Sequence, residues 1–125
     1  MFPEARLKSE ENDLVRAYRT KQYLIRTRYD LTIPNIESAL GPEDIFYGFY
    51  EQLFSNKTVE KIDRFLGLTK SDPDFEQKIN ESSKSEQSIS EELYAEIASF
   101  YKETYMFCED RFGISDIWPG YKYLE

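Results

Sequence analysis

Apolar side chains recur at helical spacing in several stretches of this chain and crowd into one continuous run in another, and the two patterns predict different elements. Leu14, Val15, Tyr18, Ile25 and Tyr29 share one face of a long helix over residues 8–30, with Ser9 as its cap and Glu10, Glu11 and Asp13 at its positive end. Arg16, Arg19 and Arg26 fall on another side, near Tyr23, as a basic stripe. Pro34 has no N–H, so it is expected to interrupt or restart that helix before a short second one, buried through Ile33, Ile36 and Leu40. Val59, Ile62, Phe65 and Leu66 predict a helix over 57–67, capped by Asn56 and turned off at Gly67. The clearest pattern is a helix over 89–112. Ser88 and Glu91 have capping-box spacing, Leu93, Ile97, Phe100, Tyr101, Thr104, Phe107 and Cys108 share a side, and Arg111-Phe112-Gly113 closes it. Trp118 and Pro119 follow in a tail expected to fold back over apolar surface.

The continuous run is Ile45 to Tyr50, which follows the turn signal Gly41-Pro42-Glu43-Asp44 and contains four aromatic residues. Over residues 45–50 it predicts a strand covered on both faces, as in a parallel sheet. A strand of that kind needs partners for its N–H and C=O groups, and no second strand is legible. Three explanations stand. The sheet is completed by another chain, the chain is a fragment, or 45–50 is not a strand. Residues 78–87 are expected to be a loop, rich in small polar groups from Asn80 to Ser85.

Composition narrows the function. With 125 residues, 40% of them hydrophobic and ten Tyr and nine Phe among them, one packed domain or part of one is expected. A net charge of −8 argues against a general role on nucleic acid or an anionic membrane. The charge is uneven. Residues 1–30 hold seven basic and five acidic side chains, leaving nine of the 16 basic and 19 of the 24 acidic ones for residues 31–125. Cys108 is the sole cysteine, so an internal disulfide and a cysteine metal cluster are excluded, and a buried apolar role suits it better than a nucleophilic one. No histidine is present, which removes the commonest general base and metal ligand. Without an apolar run of transmembrane length or a signal-peptide core, a cytoplasmic location is expected.

Two longer stretches, Arg26-Thr27-Arg28-Tyr29-Asp30-Leu31-Thr32-Ile33 and Phe49-Tyr50-Glu51-Gln52-Leu53-Phe54, resemble successive blocks of bacterial-type sulfotransferase domains. Phe65-Leu66-Gly67-Leu68, Ile79-Asn80-Glu81-Ser82 and Arg111-Phe112-Gly113 with Trp118 are similar to later blocks in the same order. No single block is specific; the order of five is what carries the likeness. It implies the C-terminal portion of an α/β, P-loop-like parallel-sheet domain, seen here as mostly α with one or few strands. It also implies transfer of a sulfuryl group from 3′-phosphoadenosine 5′-phosphosulfate to a hydroxyl or amine acceptor.

The family's phosphosulfate-binding strand–loop–helix has no match in these residues, and Asn12 to Arg19 fits its Arg-Asp-Pro motif poorly. The chain alone is therefore expected to be inactive, as a truncated product or as one half of a split enzyme whose N-terminal half comes from an upstream segment or from a partner chain. The alternative is a non-catalytic binding or dimerising module, a homodimer through 45–50. The resemblance assigns Asn80, Ser82, Ser83 and Lys84 to the nucleotide, since the corresponding loop approaches it and a lysine there can reach a phosphate. Glu51, at the end of the predicted strand, is placed where open α/β sheets hold their ligands, although the family's Tyr-Glu pair looks chiefly structural. No catalytic residue is assigned: paired carboxylates, a nucleophile with its base and a metal cluster are all unsupported.

Overall fold

The computed structural model describes residues 9–77 and 89–124. They form α1 (Ser9–Ala17), α2 (Lys21–Thr27), α3 (Tyr29–Ala39), α4 (Asn56–Leu66), α5 (Glu91–Phe100) and α6 (Lys102–Phe112), with 3₁₀ turns at Pro42–Asp44, Tyr50–Gln52 and Pro119–Leu124. Among the described residues there is no strand, so the architecture is mostly α.

The long helix expected over 8–30 is broken twice. At the first break the Thr20 hydroxyl donates to the Ala17 carbonyl at 2.8 Å, and Thr20 takes an extended conformation, φ −70° and ψ 155°, ahead of α2. A short β-branched hydroxyl thus competes for a carbonyl that helix continuation needs. At the second, Arg28 adopts φ −76° and ψ 73°. Each break resets the rotation of the following turn, which is why the supposed common face does not persist. Tyr18 is 2% exposed, whereas Ile25 is 67% exposed. Pro34 does not interrupt: it lies inside α3, whose start has already been set at Tyr29. Neither Ile36 nor Leu40 is buried.

Residues 45–50 do not form a strand. Ile45 (φ −124°, ψ 129°) and Phe49 (φ −104°, ψ 133°) are extended, as β-branched and aromatic residues favour, but no strand is formed among the described residues. Tyr50 then opens a 3₁₀ turn, and Tyr47 and Tyr50 are exposed rather than covered on both faces. The next helix is capped one residue earlier than expected, by Ser55, whose Oγ accepts the Thr58 N–H at 3.3 Å. It ends on Gly67 at φ 69°, and the following Leu68 N–H bonds back to the Asp63 carbonyl at 2.8 Å. That closure requires a left-handed residue, the conformation glycine adopts without a Cβ penalty.

The helix expected over 89–112 is two helices joined at Tyr101, which sits at φ −99° and ψ 22°. Ser90, not Ser88, supplies the cap to the Leu93 N–H at 3.2 Å; Ser88 is outside the described residues. The Tyr101 hydroxyl reaches across to the Tyr18 carbonyl. A kink at Tyr101 lets that side chain tie α5 and α6 to the end of α1.

The described residues divide into two compact units, 9–36 with 89–124, and 37–77. In the first, Tyr18, Leu93, Ala98, Tyr101, Cys108 and Ile114 form a core in which Leu93 and Ile114 are wholly buried. The C-terminal 3₁₀ turn packs on α5, where Tyr123 stacks on Tyr94 at 5.7 Å and donates to Glu91. Trp118 meets the rings of Tyr29 and Tyr105, both at 6.1 Å. In the second unit no apolar side chain is buried among the described residues; the buried residue there is Asp63, which accepts the Ser71 N–H and hydroxyl, both at 2.8 Å. Its aromatic contacts, Phe46 with Phe65 and Phe54 with both Tyr50 and Phe75, lie at the surface or half-covered.

Candidate functional site

A connected polar network stands at the junction of α2 and α3. Arg28 sits at the non-helical break between them, and its guanidinium grips the Asp30 carboxylate as a fork, Nε to Oδ1 at 2.9 Å and Nη2 to Oδ2 at 2.6 Å. From α6 the Thr104 hydroxyl donates to Oδ1 at 2.6 Å, and Glu103 accepts from Arg28 at 3.1 Å. The Asp30 side chain is 11% exposed and that of Arg28 24%. Hydrogen bonding from Arg28, with a further contribution from Thr104, holds the Asp30 carboxyl below its ordinary range against the opposing effect of burial. A carboxylate held ionised with its lone pairs occupied makes a poor general base. Its chemistry is positional: it fixes the α2–α3 turn to α6.

Cys108 lies beneath this network at 1% exposure, and burial, reinforced by the charge of Asp30, pushes its thiol up to about 11. The thiolate, which is the reactive form, is therefore scarce near neutrality. The structure thus agrees with an apolar packing role.

Asn80, Ser82, Ser83 and Lys84, the residues assigned to the nucleotide, lie outside the described residues. Glu51 occupies the exposed 3₁₀ turn Tyr50–Gln52, and no sheet edge stands behind it among the described residues. The three arginines of the expected stripe do not share a helix. Arg16 is on α1, Arg26 on α2, and Arg19 lies in the turn between them. The Arg19 guanidinium covers the rings of Tyr18 at 4.9 Å and Phe100 at 5.7 Å and donates to the Tyr18 hydroxyl.

A shallow depression of about 130 Å³ in the second unit is lined by Asn56, Val59, Glu60, Lys70, Ser71 and Asp72. That is small beside the roughly 300–1,000 Å³ usual for ligand pockets. No group of three or more acidic, cysteine or histidine side chains suited to a metal ion occurs among the described residues. No helix among them is long and apolar enough to cross a membrane.

Reading the sequence missed the Arg28–Asp30–Thr104 network, although one signal was present. Thr104 stands on an otherwise apolar helix face, and a hydroxyl buried there needs a partner. Which partner it takes depends on a contact 74 residues away in the chain. No protein-family model, curated protein or solved structure matches this chain.

Proposed function

We propose that this chain forms the C-terminal part of a sulfotransferase-type domain, contributing the acceptor side and part of the pocket for 3′-phosphoadenosine 5′-phosphosulfate. Besides the ordered sequence blocks, the observation that supports this reading most is the unit 37–77. It holds an extended aromatic segment and exposes Leu40, Tyr47, Tyr50, Leu53, Phe54, Phe65, Leu66 and Leu68, yet buries no apolar side chain among its described residues. Exposed apolar surface of that extent marks a face that meets another element. A sheet supplied by a phosphosulfate-binding half would be that element, through strands beside residues 45–50. In that assembly Asn80, Ser82, Ser83 and Lys84 contact the nucleotide phosphates, and the sulfuryl group passes to an acceptor hydroxyl or amine with release of 3′-phosphoadenosine 5′-phosphate.

Calorimetric titration with 3′-phosphoadenosine 5′-phosphate tests the nucleotide assignment. Saturable binding that Lys84→Ala weakens about tenfold, the loss of one charge-assisted phosphate contact, is the expected result. An absence of heat at any attainable concentration overturns the assignment. Sulfuryl transfer by the 125 residues alone would contradict the claim that they need a second half.

The same exposed segment also supports a second reading, a non-catalytic module in which two copies pair through residues 45–50. Sedimentation velocity at micromolar concentration separates the two, since that reading requires a dimer which a charged substitution at Tyr47 or Phe49 dissolves.

A further inference from the structure

We propose that α2 is a docking face for a short, extended acidic peptide that also carries an apolar residue. No residue of this helix is buried. Leu24 and Thr27 turn partly inward, leaving Lys21, Gln22, Tyr23, Ile25 and Arg26 on one continuous exposed arc. Ile25 is 67% exposed and Tyr23 44%. From Leu14 to Tyr29 there are five basic side chains, Arg16, Arg19, Lys21, Arg26 and Arg28, and no acidic one.

Arg28 is neutralised locally by Asp30 and Glu103, and the Arg19 guanidinium is stacked on two rings. Lys21 and Arg26 form no ion pair with another described residue. The face therefore presents two cations around an exposed aliphatic side chain and a phenol.

That combination selects the occupant. A membrane or nucleic acid is an extended polyanion and would also meet the remainder of a chain whose net charge is −8, whereas a short peptide meets the local face alone. An acidic glycan or a phosphate backbone satisfies the cations but offers little to Ile25; a peptide supplies a carboxylate and an apolar side chain within one repeat. Seven residues of helix span about 10 Å, the reach of roughly three residues of extended peptide. The unit recognised is thus acidic–apolar–acidic. This inference is independent of the nucleotide reading above, and either can fail alone.

The test is fluorescence anisotropy with a fluorescein-labelled nine-residue peptide of alternating glutamate and leucine. Saturable binding is expected, weakened about tenfold by the double substitution Lys21→Gln and Arg26→Gln, about fivefold by Ile25→Ser, and progressively by added salt. Because α2 buries nothing, these variants should retain the parent's helical circular dichroism. A peptide of alternating lysine and leucine, tested on the unaltered chain, should not bind, and this arm needs no variant to fold. Failure to saturate by about 1 mM, equal binding of the lysine peptide, or parent-like binding by the variants would overturn the proposal. So would competition by phosphatidylserine vesicles or by a polyuronate at equal charge concentration, which would show a general polyanion face instead.

Discussion

Asp30 shows how one side chain can join elements that lie far apart in the chain. Its carboxylate takes three donors, two from Arg28 and one from Thr104. Removing it in Asp30→Ala leaves a largely sheltered guanidinium and a buried hydroxyl without their acceptor, at a cost of about 2 kcal/mol in urea unfolding. Because its folded pKa lies below the unfolded value, the associated stability is fully present above the ordinary carboxylate range and is lost as pH falls through the lower, folded value. The difference in stability between the parent and Asp30→Asn should therefore be constant at pH 5 and above and shrink below about pH 4. A difference unchanged down to pH 2 would refute the ionised network. Cys108, by contrast, should resist maleimide at pH 7.5 in the native state and react fully in denaturant, as follows from a thiol both buried and raised to about 11.

The helical elements were largely legible in the sequence because their signals are local. Gly67 and Gly113 both end helices with positive φ, and the amphipathic face from Leu93 to Cys108 contains much of the core. What could not be read there was settled by contacts between distant residues. The break at Tyr101 is accompanied by a hydroxyl bond to the end of α1, and that at Thr20 by a side chain whose propensity suits either helix or cap. The run at Ile45 has strand dihedrals without a ladder, since pairing depends on a partner and not on propensity. Of the candidate site, only its polar loop composition was readable, and those residues lie outside the described ones. The tail offers a sharper test of packing. A Cβ on Gly120 would stand 2.1 Å from the Tyr105 hydroxyl, so Gly120→Ala should destabilise the chain by about 1–2 kcal/mol. Adding Tyr105→Phe, which removes the obstructing oxygen, should restore part of that loss in thermal unfolding; no restoration would place the strain elsewhere.

At the scale of the whole molecule the two units differ in what holds them. Substituting Leu93 by Ala in the first should cost about 3 kcal/mol, as the side chain is wholly buried. Phe54→Ser or Leu66→Ser in the second should change stability by no more than about 0.5 kcal/mol and reduce binding of a hydrophobic dye. A large loss of stability there would mean that these residues are already covered. The first unit has a further property. The hydrogen bonds that Ser90 donates to Glu11, Thr104 to Asp30 and Tyr101 to Tyr18 join residues 79, 74 and 83 positions apart. None of these ties can form on the ribosome until the later partner has emerged from the exit tunnel. The early helices of this unit must therefore wait, without those ties, while 74 to 83 further residues are added, and that interval is when they are most exposed to chaperones and proteases.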